Sequence, residues 1–156
     1  MKSAKILIAI VLTLTLCSVV AAAKPNFTGD WKMVAAKSDF GQMPPPSKFE
    51  EKIAHTDPQL KVSMVFVSEM GEMALDSNYT TDGKECVNTS PMGESKSTAN
   101  WDGDSLVIVT KMDMQGNEIT ITNRWTLSAD GATLTVNGHF SSSQGEGDTK
   151  IVMEKK

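Results

Sequence analysis

Short alternating strands separated by tight-turn signals constrain this chain more than any other feature. Asp82-Gly83, Asp102-Gly103 and Asp130-Gly131 each stand between brief runs of period-two apolar patterning. Such pairs suit two-residue hairpins, because their backbones tolerate the positive φ that the central turn positions require. After Ala23, no window holds apolar residues at i, i+3, i+4 and i+7 for more than about two turns, so helix signals are nearly absent. Ten strands are expected, over 27–34, 48–55, 60–67, 73–80, 84–89, 94–101, 105–112, 118–127, 132–140 and 148–154. The uneven spacing of the Asp-Gly pairs marks repeated hairpin chemistry rather than a repeat array.

The connections between these runs are mostly two to five residues long. Parallel pairing needs crossovers of about a dozen residues or more. Only 35–47 is long enough, and Pro44, Pro45 and Pro46 make it irregular. The expected fold class is therefore all-β, an antiparallel up-and-down meander in which sequence neighbours are spatial neighbours. An open ten-stranded sheet leaves two edges, and closure into a barrel removes them. A two-sheet sandwich would need long Greek-key connections that this chain lacks. The first and last strands should therefore meet.

The amino terminus has the form of an export signal. Lys2 and Lys5 precede an uncharged apolar run over 6–20, and Ala21, Ala22 and Ala23 supply small residues for cleavage. The run is shorter than the roughly 20 residues of a membrane span, so an integral membrane protein is not expected. A lipoprotein reading through Cys17 is the weaker one, since Leu16 stands where a small residue is usual. A signal over 1–23 leaves one barrel domain over 24–156, secreted or periplasmic. That domain has 13 cations against 19 anions, a net charge of −6. With Arg124 as its single arginine, it has no electrostatic grip on nucleic acid or anionic lipid. Cys86 alone remains, so no internal disulfide can form, and packing must hold the fold. Cys86 itself reads as a small hydrophobe. The sequons at Asn26, Asn78 and Asn88 are read as chance occurrences.

The phrase Phe27-Thr28-Gly29-Asp30-Trp31-Lys32 opens the first strand. Here the chain resembles the calycin superfamily of lipocalins, fatty-acid-binding proteins and avidins, whose first strand carries a glycine two residues before a tryptophan. The strand count is similar to the fatty-acid-binding branch. Lys37-Ser38-Asp39-Phe40-Gly41 and the prolines after it resemble a group of secreted, uncharacterised bacterial lipocalin-like proteins. The resemblance implies that Gly29 lets the backbone pass closely and that Trp31 plugs the barrel floor. It also implies a small-molecule ligand. Two departures stand out. The 35–47 segment is too short and proline-rich for the two-helix lid of fatty-acid-binding proteins. The arginine that those proteins set on a tryptophan or a ligand carboxylate has one counterpart here, Arg124, which alternation points away from the side of Trp125.

Ten methionines offer flexible apolar wall material, with Met64, Met73, Met112, Met114 and Met153 at strand positions. The residues expected to line a ligand site are Trp31, Met64, Phe66, Tyr79, Arg124 and Trp125, with His139 a further candidate for a head group. A void of a few hundred Å³ among them would favour ligand binding. Two dispersed histidines and one cysteine make neither a zinc set nor a nucleophile pair, and Asp102-Gly103-Asp104 lacks the remaining ligands of a calcium loop. No cofactor, metal or catalytic set is expected. The leading expectation is a monomeric, secreted barrel that binds a small hydrophobic or amphipathic ligand. The alternative is a packed barrel acting as an envelope protein-interaction module, with the 35–47 loop as its contact. An enzyme would instead show titratable groups with shifted pKa inside one pocket, and the expected acids lie mostly at turns.

Overall fold

The computed structural model of the chain describes residues 23–69 and 71–156. The proposed signal segment therefore lies, apart from Ala23, outside the described residues. Ten strands follow: β1 (Gly29–Met33), β2 (Lys48–Thr56), β3 (Gln59–Ser68), β4 (Gly71–Thr80), β5 (Cys86–Ser90), β6 (Gly93–Asp102), β7 (Ser105–Met114), β8 (Asn117–Leu127), β9 (Thr133–Ser142) and β10 (Gly145–Lys155). A single 3-10 turn at Ala35–Lys37 interrupts the series. No helix among the described residues is long and apolar enough to cross a membrane.

All ten strands form one antiparallel sheet in the order β4-β3-β2-β1-β10-β9-β8-β7-β6-β5. The terminal strands meet as closure requires: Trp31 pairs with Lys155 and Met33 with Met153. Tight two-residue turns join β5 to β6, β6 to β7, β7 to β8 and β9 to β10. In the last of these Gly145, Glu146 and Gly147 pair with Ser142, Ser141 and Phe140, so β10 begins ahead of the strand expected over 148–154. The 35–47 segment is anchored across the sheet by the bridge Asp39–Lys150, and Pro46 is buried.

The meander fails at one place. β4 and β5 are consecutive, yet they form no ladder and stand at opposite ends of the strand order. Asp82-Gly83 is thus not the hairpin that its residues suggest. Asp82 bridges to Asn100 of β6, and the Gly83 amide donates to the Ala99 carbonyl at 3.0 Å. Gly83 has φ +81°, and a Cβ there would overlap the Asn100 side-chain oxygen, so glycine is needed for this crossing. The turn is locked by the Asp82 carboxylate, which accepts from Lys84 Nζ at 2.6 Å and Thr80 Oγ1 at 2.8 Å. Those partners, Lys84 foremost, hold its pKa down to about 2.

One side chain spans the resulting seam. Asn88 on β5 accepts from the Asn78 backbone N–H at 2.7 Å and donates to the Asn78 carbonyl at 3.1 Å. Its amide takes the place of a paired residue on the missing ladder, satisfying both main-chain groups of one edge residue. Two of the three sequon asparagines are thus engaged in the fold, since Asn26 Nδ2 also donates to the His55 carbonyl at 3.3 Å.

Alternation sends one face of every strand inward. At one end of the barrel the inward side chains close into an aromatic plug centred on Phe27, which precedes β1 and is fully buried. Phe27 stacks on Trp101 at 5.9 Å and His55 at 5.7 Å, and meets Trp125 edge-on at 5.5 Å. Trp31, also fully buried, donates its indole N–H to the Phe27 carbonyl at 2.9 Å. Lys155 covers the Trp31 ring, with Nζ 5.3 Å from its centroid. A Cβ at position 29 would overlap Lys155 Cε, so Gly29 admits the lysine stem over the indole.

Asn88→Ala should leave the Asn78 amide and carbonyl without partners and cost about 1–3 kcal/mol. Denaturant titration would measure the loss, and hydrogen exchange should show faster exchange at Asn78 with little change in β8 and β9.

Candidate functional site

Above the plug the barrel is hollow. A cavity of about 330 Å³ extends from Trp125, Ile108 and Val62 on its floor to Met92 in the Ser90–Gly93 turn, where that methionine is exposed. Its wall is mostly apolar, with Phe49, Met64, Leu75, Met112, Ile121 and Ile151 among the lining residues. The polar residues in its lining are Glu51, Asp76, Ser77, Tyr79, Asn88, Ser90, Ser95, Thr110 and Asn123. Asp76 is there only at the edge of β4, with an exposed side chain bonded to Ser63. Each strand supplies the other residues at every second position, so register alone sets their levels. Glu51, Met64 and Leu75 form one row across β2, β3 and β4, and Ile53, Val62 and Ser77 form the next row toward the plug.

Glu51 is the unusual member. It is 8% exposed, and its Oε2 is buried with no hydrogen-bond partner. Burial alone raises its pKa from 4.5 to about 7. Nearby, burial also raises the Tyr79 phenol, the Ser77 hydroxyl opposes that rise, and the Glu51 and Cys86 charges add to it. Two rungs closer to the plug on β2, His55 accepts the Phe27 amide on Nδ1 at 3.3 Å. That leaves its proton on Nε2, 3.9 Å from Asp57 Oδ1. Burial lowers the His55 pKa, and Asp57 offsets part of the fall. The imidazole is thus a neutral part of the plug.

Of the residues expected at a ligand site, Met64, Tyr79 and Trp125 line the cavity. Trp31 lies beneath it, sealed in the plug. Phe66 pairs with Phe49 and Met73 one row nearer the β3–β4 hairpin, and of that row Phe49 lines the cavity while Phe66 does not. Arg124 is on the outer face, as alternation from Trp125 dictates, and pairs there with Asp102 at 2.5 Å. The Trp31 ring is covered by Lys155. His139 is likewise outside, exposed and 2.8 Å from Asp148. The expectation that the acids lie mostly at turns missed Glu51. The signal was present: Phe49, Glu51, Ile53 and His55 alternate on one face of β2, so an inward Phe49 carries Glu51 inward with it. The Asn88 clasp had no comparable signal, because it depends on the failure of β4 and β5 to pair.

No protein-family model matches the sequence, and no curated protein matches it. Solved structures do. A zebrafish ileal bile acid-binding protein complexed with cholic acid superposes with a TM-score of 0.60 at 14% identity, covering 83% of this chain and 98% of its own. A secretory abundant heat soluble protein from Ramazzottius varieornatus superposes with 0.60 at 13% identity, over 83% and 94% of the two chains. A variant of the fluorescent protein UnaG gives 0.57 at 18% identity, over 83% and 96%. The fold is a calycin-like barrel. The likeness covers 83% of this chain and 94% or more of each of the three structures.

The carboxyl of Glu51 links stability to pH with a definite sign. Its folded-state pKa lies above the unfolded value, so its contribution is fully present below pH 4.5 and is lost as pH rises through about 7. The shift corresponds to about 3 kcal/mol. Glu51→Gln should therefore match the parent's stability near pH 4 and exceed it at pH 8, by a melting difference of order 10 °C. Thermal denaturation of both proteins between pH 4 and 8 would check this.

Proposed function

We propose that this protein is an exported barrel that binds a small hydrophobic or amphipathic molecule in the cavity above the aromatic plug. The cavity itself carries the proposal: about 330 Å³ of partly open space with a mostly apolar wall and several inward polar groups. That volume lies at the small end of ligand sites, which span roughly 300–1,000 Å³. Affinity would come from apolar burial, at about 25 cal/mol per Å² removed from water, less the cost of ordering the partners. Met64 and Met112 supply a wall that can adjust to the shape of a guest. A binding role rather than a catalytic one accords with the wall's chemistry, in which Glu51 has no histidine, lysine or cysteine beside it in the lining. Support also comes from the bile acid-binding neighbour, which holds cholic acid in the same fold class. Export rests on the apolar segment over 6–20 and the alanines after it.

The packed-barrel alternative, which rests on a filled interior, draws less support from a barrel with this cavity.

Trp125 forms part of the cavity floor, so occupancy should change its fluorescence. Titration with a panel of apolar and amphipathic molecules at about 10–100 μM should shift or quench the emission, as expected for micromolar binding. Ser77→Phe, which projects a ring into the cavity, should weaken every active ligand at least tenfold, or about 1.4 kcal/mol. A panel that leaves the emission of the parent unchanged would remove the proposal's main support.

A further inference from the structure

The polar inventory of the cavity is one-sided. Its lining contains one inward acid, Glu51, and no lysine, arginine or histidine. The nearest basic side chains that touch the core are committed elsewhere: Lys155 lies over Trp31, and His55 is held in the plug by the Phe27 amide. Asn88 spends its amide on the Asn78 backbone. Thr110 is paired with Ser97 at 2.9 Å. Asp76, at the edge of the lining, has its carboxylate exposed and accepts from Ser63 at 2.5 Å. Glu51 Oε2 is different, being buried, turned toward the cavity and reached by no donor among the described residues.

A buried carboxyl without a donor is costly, and a guest that supplies the donor recovers that cost. A carboxylate guest would do the reverse, placing a second negative charge near Glu51 with no cation to balance it. An alcohol offers one donor. An ammonium offers three donors and the opposite charge, which the low-dielectric interior strengthens.

Resting on the ligand-binding reading above, we propose that the cavity is selective for an amphipathic amine, its apolar body against Met64, Ile121 and Trp125 and its ammonium group on the Glu51 carboxylate. The guest's own charge then completes the pair that the fold leaves half made. Other titratable groups facing this point are Tyr79 on β4 and Cys86 on β5, with His55 below on β2. None of them supplies a positive charge at neutral pH. In the empty barrel Glu51 is largely protonated at pH 6, and pairing with an ammonium ionises it. Amine binding should therefore release about one proton at that pH.

The test compares decylamine, decanol and decanoic acid, three guests of equal chain length, by tryptophan quenching and by calorimetry at pH 6 in two buffers of different ionisation heat. Decylamine should bind at least tenfold more tightly than decanol, with decanoate weakest, and only decylamine should release a proton. In Glu51→Gln the amine preference and the proton release should both vanish, while decanol affinity stays within about threefold. The proton release in the parent protein stands independently of how well the variant folds. Decanol binding as well as decylamine, decanoate binding best, or an amine preference that survives Glu51→Gln would each overturn the amine assignment and leave the ligand-binding reading intact. If none of the three guests binds, both fall together.

Discussion

The barrel depends on Phe27, a residue outside its strands. From the segment before β1 it reaches into the closed end, where it contacts Trp101, Trp125 and His55 and gives its carbonyl to the indole of Trp31. Without a seal of this kind, a ten-stranded cylinder would admit water along its length, and the apolar faces of its strands would gain little from closure. With it, Leu60, Leu106, Leu134 and Met153 pack without exposure around the plug. The dry half gives the fold its stability and leaves the other half free to stay hollow.

Among the described residues three buried polar atoms have no hydrogen-bond partner: His55 Nε2 and Trp101 Nε1 in the plug, and Glu51 Oε2 in the hollow half. The other demands of the plug are met from within, since His55 receives the Phe27 amide and Thr28 exchanges hydrogen bonds with the His55 backbone at both ends. Of the three, Glu51 alone lines the cavity. Buried polar groups left unpaired are few in folded proteins, and each asks for a reason. A place for a guest supplies one.

Strand number, order and bounds were legible in the sequence to within a few residues at most ends, because period-two patterning and tight-turn residues are local signals. The meeting of β1 with β10 followed from the topology rather than from any residue. The seam between β4 and β5 was not legible: Asp82-Gly83 carries hairpin chemistry, and only the long-range attachment to Ala99 and Asn100 diverts it. Among the site residues, alternation sufficed for Trp125 and for the outward turn of Arg124. It could not say which side chains of a row reach the cavity, so Phe66 was expected on the wall where Phe49, its partner in that row, stands. The plug was partly visible through Trp31, but Phe27, expected to open the first strand, instead precedes it, and its ring contacts are all long-range.

The placement of β1 has a consequence for how the chain is made. Its two neighbours are β2, which follows within a few dozen residues, and β10, which is the last element to emerge. The backbone of Lys156 donates to the Asp30 carbonyl at 2.8 Å, so the residue after β10 also takes part in the closure. Until β10 has emerged, every partial product carries a bare strand margin open to wrong partners. Closure therefore waits for the tenth strand, and the first nine need shielding until it arrives.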